Sequence, residues 1–195
     1  MPVSGEIRIV EKPEWIGFDA LWALLIRAHE ENAKNGLKIN TRIHSGEELR
    51  AHMGAHTVTW VALDGENVVG TISARIEASA QPALWGRSTC ALMHLGVDPQ
   101  RKGQRLGARL CEQAEAWARR HDAAAATLFV VDRNPAQAFY RHIGYEALDF
   151  VPRPALRQNS VLMVKWLKES PVPGWRRKLR FRLKRSYIRL RYRFR

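Results

Sequence analysis

The spacing of apolar residues changes several times along the chain. Residues 6–10 alternate as a short strand would, and Pro13 then opens a stretch in which Phe18, Leu21, Trp22, Leu25 and Ala28 recur at helical spacing. Ser45 stands three residues before Glu48, a pair in which the serine hydroxyl and the glutamate carboxylate can each satisfy a free amide at a helix start. A second, shorter helix is predicted there, with Leu49 and Met53 inward and Gly54 ending it.

From residue 57 the period becomes two. Residues 57–63 are rich in β-branched and aromatic side chains, Asp64-Gly65 is a hairpin signal, and the next strand alternates Ile72, Ala74 and Ile76 with Thr71, Ser73, Arg75 and Glu77. After a loop at 79–87, residues 89–97 are nearly all apolar, as a central strand covered on both faces requires. A helix over 105–121 follows, with Leu106, Leu110, Ala114 and Trp117 as its inner stripe. Then come a strand at 127–131, a short helix at 135–142 closed by Gly144, and a last strand at 160–167. A hairpin-linked front half joined to a strand-helix-strand back half predicts an α/β (mixed α+β) fold, with a central mixed sheet of six to seven strands flanked by helices.

Composition adds the size and an uneven charge. A chain of 195 residues, 46% of them apolar, holds one domain with a full core. No run of about 18 apolar residues and no secretion-type N-terminus occurs, so a soluble, cytoplasmic protein is expected. Cys90 and Cys111 have no metal-type spacing and are expected as buried free thiols. Residues 174–195 contain eleven Lys or Arg and no acid, out of a net charge of +13, which leaves about +2 for the rest. The expected organisation is a catalytic domain at 1–169, a Pro/Gly linker at 170–174, and a basic tail at 175–195 that the domain does not need in order to fold. As a helix the tail places Trp175, Leu179, Leu183, Tyr187, Leu190 and Phe194 on one stripe among arginines, which suits an anionic membrane surface. As strands it alternates basic with apolar residues, and the arginines interleaved with aromatic rings suit nucleic-acid phosphates and bases; a disordered basic tail is the third reading.

Two segments carry chemistry. Residues 97–110 run from a strand end through a loop rich in glycine and basic residues into a helix. The first amides of that helix lack partners and, with its dipole, attract an anion such as a pyrophosphate. Gly103 and Gly107 allow close approach, and Lys102 and Arg105 add charge. Neither a P-loop nor a dinucleotide-binding glycine pattern is present. The second segment runs from Asn134 through Phe139 and Tyr140 to Gly144 and Tyr145.

Together these segments resemble the GNAT superfamily of acetyltransferases. Val97, Pro99, Lys102, Gly107 and Leu110 fall on its coenzyme-binding signature V-x-P-x-x-R/Q-x-x-G-x-G/A-x-x-L, with Arg105 where the first signature glycine usually stands. Phe139, Tyr140, Gly144 and Tyr145 fit its second element, while Asn134 sits one residue nearer the tyrosine than usual, so that Arg133 could take its slot. The resemblance implies a GNAT fold and acetyl-coenzyme A as cosubstrate, with no metal. The coenzyme is held by Leu95, Val97, Lys102, Gly103, Gln104, Arg105, Leu106, Gly107, Ala108 and Asn134. It implies that the strand ending at Val97 splays from its neighbour to admit the pantetheine arm, and that a backbone amide there polarises the thioester carbonyl. Tyr140 is implied as the acid that protonates the departing thiolate.

The attacking amine must first lose a proton, which the family often assigns to a carboxylate on the splayed strand. Residues 89–97 contain none, and His94 is the candidate base, the alternative being a packed strand histidine. Glu30, Glu31 and residues 149–159 are implied to line the acceptor side. His52 and His56 have a metal-like spacing that Gly54 interrupts and no third ligand completes. Two functions follow: an N-acetyltransferase acting on an amine of a small molecule or protein by direct attack, or a non-catalytic coenzyme-binding module tethered through its tail. The sequence leaves a homodimer open.

Overall fold

The computed structural model describes residues 6–37, 43–79, 84, 87–170 and 173–191. Pro82 and Gly86 of the 79–87 loop, Pro171 and Val172 of the linker, and Phe194 of the tail stripe lie outside the described residues. Seven strands form one sheet in the order β1-β2-β3-β4-β5-β7-β6. They are β1 (Arg8–Glu11), β2 (Thr57–Asp64), β3 (Asn67–Ala78), β4 (Ser88–Val97), β5 (Ala125–Val131), β6 (Glu146–Arg153) and β7 (Gln158–Trp166). Only β4 and β5 are parallel neighbours. The helix α3 (Leu106–Arg120) makes the crossover between them, as a parallel pair requires.

Helices cover both faces, as the alternation in the strands demands. On one face Trp60, Ile72, Ala74, Cys90 and Leu128 meet Leu106, Leu110 and Ala114 of α3. On the other, Val61 and Leu63 meet Leu21 and Leu25 of α1 (Phe18–Lys34) and Leu49 and Met53 of α2 (Gly46–Met53). The predicted cap of α2 is present: the Ser45 hydroxyl accepts from the Glu48 amide at 3.1 Å, and the Glu48 carboxylate accepts from the His44 amide at 2.6 Å. Cys90 and Cys111 are buried free thiols. Gly96 on β4 sets how closely α1 can lie, since a Cβ there would meet Leu25 Cδ2 at 2.9 Å and Ala28 Cβ at 3.3 Å. That approach brings His29, one residue on from Ala28, against the end of β4.

Two expectations differ from the structure. Residues 146–153, part of which was expected as a loop, form β6 at the sheet edge, where Pro152 can be accommodated because an edge strand need not use every amide. The basic segment, expected as an appendage apart from the domain, is a helix, α5 (Gly174–Arg191), packed on β6. Ile188 is buried in the main core cluster, and the Phe181 ring meets Phe150 edge to face at 6.3 Å. Charge completes the contact. Arg177 pairs with Glu146 at 2.6 Å and Lys184 with Asp149 at 2.6 Å, while Arg185 and Arg189 both engage the nearly buried Asp132. The near-neutral domain thus keeps three of its acids on the surface that the basic helix covers.

Candidate active site

The site begins where β4 and β5 part. Their ladder runs only from Thr89↔Ala125 to Ala91↔Thr127, whereas β5 stays paired with β7 as far as Val131↔Ser160. Beyond Ala91 the backbone of β4 on that side therefore faces an opening instead of a strand. On its other side β4 carries a bulge: Ser73 pairs with Met93 and Thr71 with Gly96, one residue more on β4 than on β3. His94 lies in the bulge with a left-handed φ of 53°.

Two cavities occupy the opening. The first, about 870 Å³, is lined by Leu95, Gly96, Val97, Arg101, Lys102, Gly103 and Arg105 to Ala108, with Phe139 and Tyr140 opposite. At its head α3 starts without a side-chain cap, its N-cap being Arg105, and the first bond of the helix is from the Arg109 amide to the Arg105 carbonyl. The amides of Leu106, Gly107 and Ala108 precede that bond, so they are available to an anion beside Lys102 and Arg105. This donor set fits a pyrophosphate. Arg105 has φ 56°, a left-handed conformation that favours glycine and costs the arginine about 1 kcal/mol. Gly107 serves packing: a Cβ would meet the Phe139 ring at 3.2 Å and Val97 at 3.8 Å, so the two sequence segments touch at this point. Gln104 is exposed and lies outside the lining, contrary to its assignment from the signature.

The second cavity, about 390 Å³, lies on the other side of the opening and is bounded by His52, His94, Phe129, Asn134, Arg153 and Gln158 among others. His29, Asn32, Leu95, Cys111, Ala136 and Tyr140 line both cavities, and so mark where their contents would meet. Tyr140 is carried there by α4 (Ala136–His142), whose Ala136 amide donates to Asn134 Oδ1 at 2.8 Å. Asn134 thus lines the second cavity and holds the start of α4, while Arg133 lies outside both linings. Burial above all pushes the Tyr140 phenol well above its ordinary range, so it is a protonated donor at all ordinary pH. Burial likewise pushes the Cys111 thiol up to about 12, which makes it inert packing. Beneath, Tyr145 donates to the buried Glu115 at 3.0 Å, and Lys165 pairs with the same carboxylate at 2.7 Å.

Three imidazoles converge on the second cavity, of which sequence reasoning had singled out His94 for catalysis. His94 is 8% exposed, its Nδ1 has no hydrogen-bond partner, and its ring lies edge to face with His52 at 5.3 Å. Desolvation, followed by His52, Arg75 and His29, lowers its pKa to about 4. His29 is also lowered, by desolvation against a hydrogen bond to the Leu95 backbone. Glu30 and Glu31 do not line the cavity: Glu30 pairs with Lys34 at 2.7 Å and Glu31 with Lys102 at 3.1 Å. Position in sequence pointed to the glutamates, but the helix turns His29 inward.

The lowered His94 has a measurable consequence for stability. Between pH 6.5 and about 4 the unfolded chain holds a proton on this residue that the folded chain does not, so stability falls as pH falls through that window, by up to about 1.4 kcal/mol per unit. His29 acts with the same sign. In His94→Gln the melting temperature should fall less steeply from pH 6.5 to 4. Parallel curves would mean that His94 carries its proton in the folded protein.

A model of the Acetyltransferase (GNAT) family matches residues 18–145. No curated protein matches the chain. Among solved structures, an aminoglycoside 6'-N-acetyltransferase complexed with coenzyme A superimposes with a TM-score of 0.63 at 17% identity, over 85% of this chain and 99% of that one. The ribosomal-protein-S18-alanine N-acetyltransferase of Escherichia coli gives 0.60 at 16% identity, over 84% and 96%. Chaetomium thermophilum Naa20 in complex with a bisubstrate analogue gives 0.61 at 20% identity, over 82% and 86%.

Proposed function

The chain belongs to the GNAT acetyltransferase family, and on that premise we propose that it transfers acetyl from acetyl-coenzyme A to an amine held in the histidine-lined cavity. The observation that carries this reading is the meeting of the two cavities at Leu95 and Tyr140. When bound, acetyl-coenzyme A supplies the activated acetyl group. The amides at the start of α3, with Lys102 and Arg105, would hold its pyrophosphate, and the unpaired backbone of β4 near Leu95 and Val97 would hold its pantetheine arm.

The protein's own groups then manage protons. Tyr140, protonated and partly buried, donates to the leaving thiolate. His94 is neutral at pH 7 and offers an unpaired nitrogen to the acceptor. The desolvation that lowers His94 acts equally against a bound ammonium, favouring the neutral amine that attacks. His52, exposed and in contact with the His94 ring, gives the released proton a route to solvent.

The lining also narrows the acceptor. No Asp or Glu lines the second cavity among the described residues, while Ile43, Ile72, Leu92 and Phe129 do, and Arg153 lies over the Phe129 ring at 4.8 Å. A polycation finds no counter-charge there. An amine on an apolar body with a carboxylate or carbonyl within reach of Arg153 does. Thiol release from acetyl-coenzyme A should therefore be faster with apolar amino acids and peptide N-termini than with polyamines or aminoglycosides. The reverse order would reject this acceptor class, and coenzyme binding with no thiol release to any amine would favour the non-catalytic module.

A further inference from the structure

The docking of α5 inverts the usual arrangement of an amphipathic helix. Its inner face consists of Arg177, Phe181, Lys184, Arg185, Ile188 and Arg189, and all four of these cations pair with acids of the domain. The opposite face presents Trp175, Leu179, Leu183, Tyr187 and Leu190, each between 51% and 68% exposed. These five recur at helical spacing along the whole length of α5, so they form a continuous apolar ridge and not scattered surface residues. Arg176 and Arg180 are exposed beside the ridge, Lys178 and Arg182 are exposed at the edge facing β6, and the ion pairs of the described residues engage none of the four.

We propose that this ridge is a docking surface for an anionic lipid bilayer, on which α5 lies in the interfacial plane. Three observations select that occupant. The ridge combines leucines with a tryptophan and a tyrosine, the side chains that partition into the headgroup boundary, and it stands beside cations with no acid anywhere in residues 174–195. A second copy of the same helix would bring like charges together, so charge disfavours self-association through this face. Nucleic acid would satisfy the arginines but leave Leu179, Leu183 and Leu190 in water. None of the described helices is long and apolar enough to cross a membrane, consistent with a helix that lies on the surface. The ion pairs that hold α5 to β6 let the catalytic domain follow the helix to the surface without unfolding.

The test uses the full chain and its Leu179→Ser/Leu183→Ser/Leu190→Ser triple variant, whose changes all point outward. The wild-type protein should co-sediment with mixed phosphatidylserine and phosphatidylcholine vesicles and not with pure phosphatidylcholine vesicles. The triple variant should lose at least tenfold in binding while keeping its melting temperature and its coenzyme affinity. A blue shift on lipid that disappears in Trp175→Phe would place the ridge in the interface. Undiminished vesicle binding by the triple variant, equal binding to neutral vesicles, or binding to a single-stranded RNA with none to vesicles would each overturn the proposal. So would a dimer in solution that the triple variant abolishes. Failure of acetyl transfer with vesicle binding intact would reject the enzymatic reading alone.

Discussion

Replacing Tyr140 with phenylalanine should lower turnover by roughly a hundredfold while leaving coenzyme affinity nearly unchanged, because proton donation to a leaving group is worth about 10²–10⁴ in rate. The substitution keeps the ring, which packs edge to face on Phe139 at 5.1 Å and on Tyr145 at 5.8 Å, so the wall shared by the two cavities stays in place. It removes only a hydroxyl whose desolvation holds its proton in place. The measurement is thiol release under saturating coenzyme, beside calorimetry of coenzyme binding. Equal turnover in the two proteins would return Tyr140 to a packing role. A matched loss of affinity would instead show that the hydroxyl holds the coenzyme.

Ending the chain at residue 173 should destabilise the domain by about 3 kcal/mol, the scale of losing the apolar burial of Ile188 and Phe181, and lower the melting temperature by roughly 6–12 °C. The Asp132 side chain is 8% exposed and, among the described residues, its ion pairs are with Arg185 and Arg189, while Phe150 and Tyr145 lose the cover of Phe181 and Ile188. Because Asp132 lies two residues before Asn134, whose Oδ1 accepts from the Ala136 amide at the start of α4, the loss should also reach the placement of Tyr140. Truncated protein that melts with the full chain would restore the appendage expected from sequence. Asp132→Asn in the full chain is the sharper control, since it keeps the helix but removes the charge that α5 answers.

That reversal shows where sequence reasoning stops. The two chemical segments were legible because each is local: a strand end, a loop and a helix start within residues 97–110, and a helix with its closing glycine within 134–145. The elements were legible wherever period and capping agreed, as at Ser45 and Glu48. The docking of α5 was not, because what seats it is a set of ion pairs reaching back 31 to 57 residues with no local trace. The composition of the coenzyme loop points to an anion cradle, yet nothing in it announces that Arg105 is left-handed. His29 was passed over for its acidic neighbours because its placement depends on how closely α1 approaches Gly96, a property of two segments 67 residues apart.

The bulge in β4 leaves that strand one residue longer than its ladder with β3 needs. In most central strands losing a residue reverses the facing of everything beyond it, but here the pairs on either side, Ser73↔Met93 and Thr71↔Gly96, would close into regular register if one residue were removed. The surplus is His94, which has a left-handed backbone and an unsatisfied buried nitrogen. The strand therefore carries slack that folding does not require. Shortening it by one residue is an edit the sheet can absorb, and the same edit takes away the imidazole offered to the acceptor, so at this position the length of the chain itself separates a sound fold from a working one.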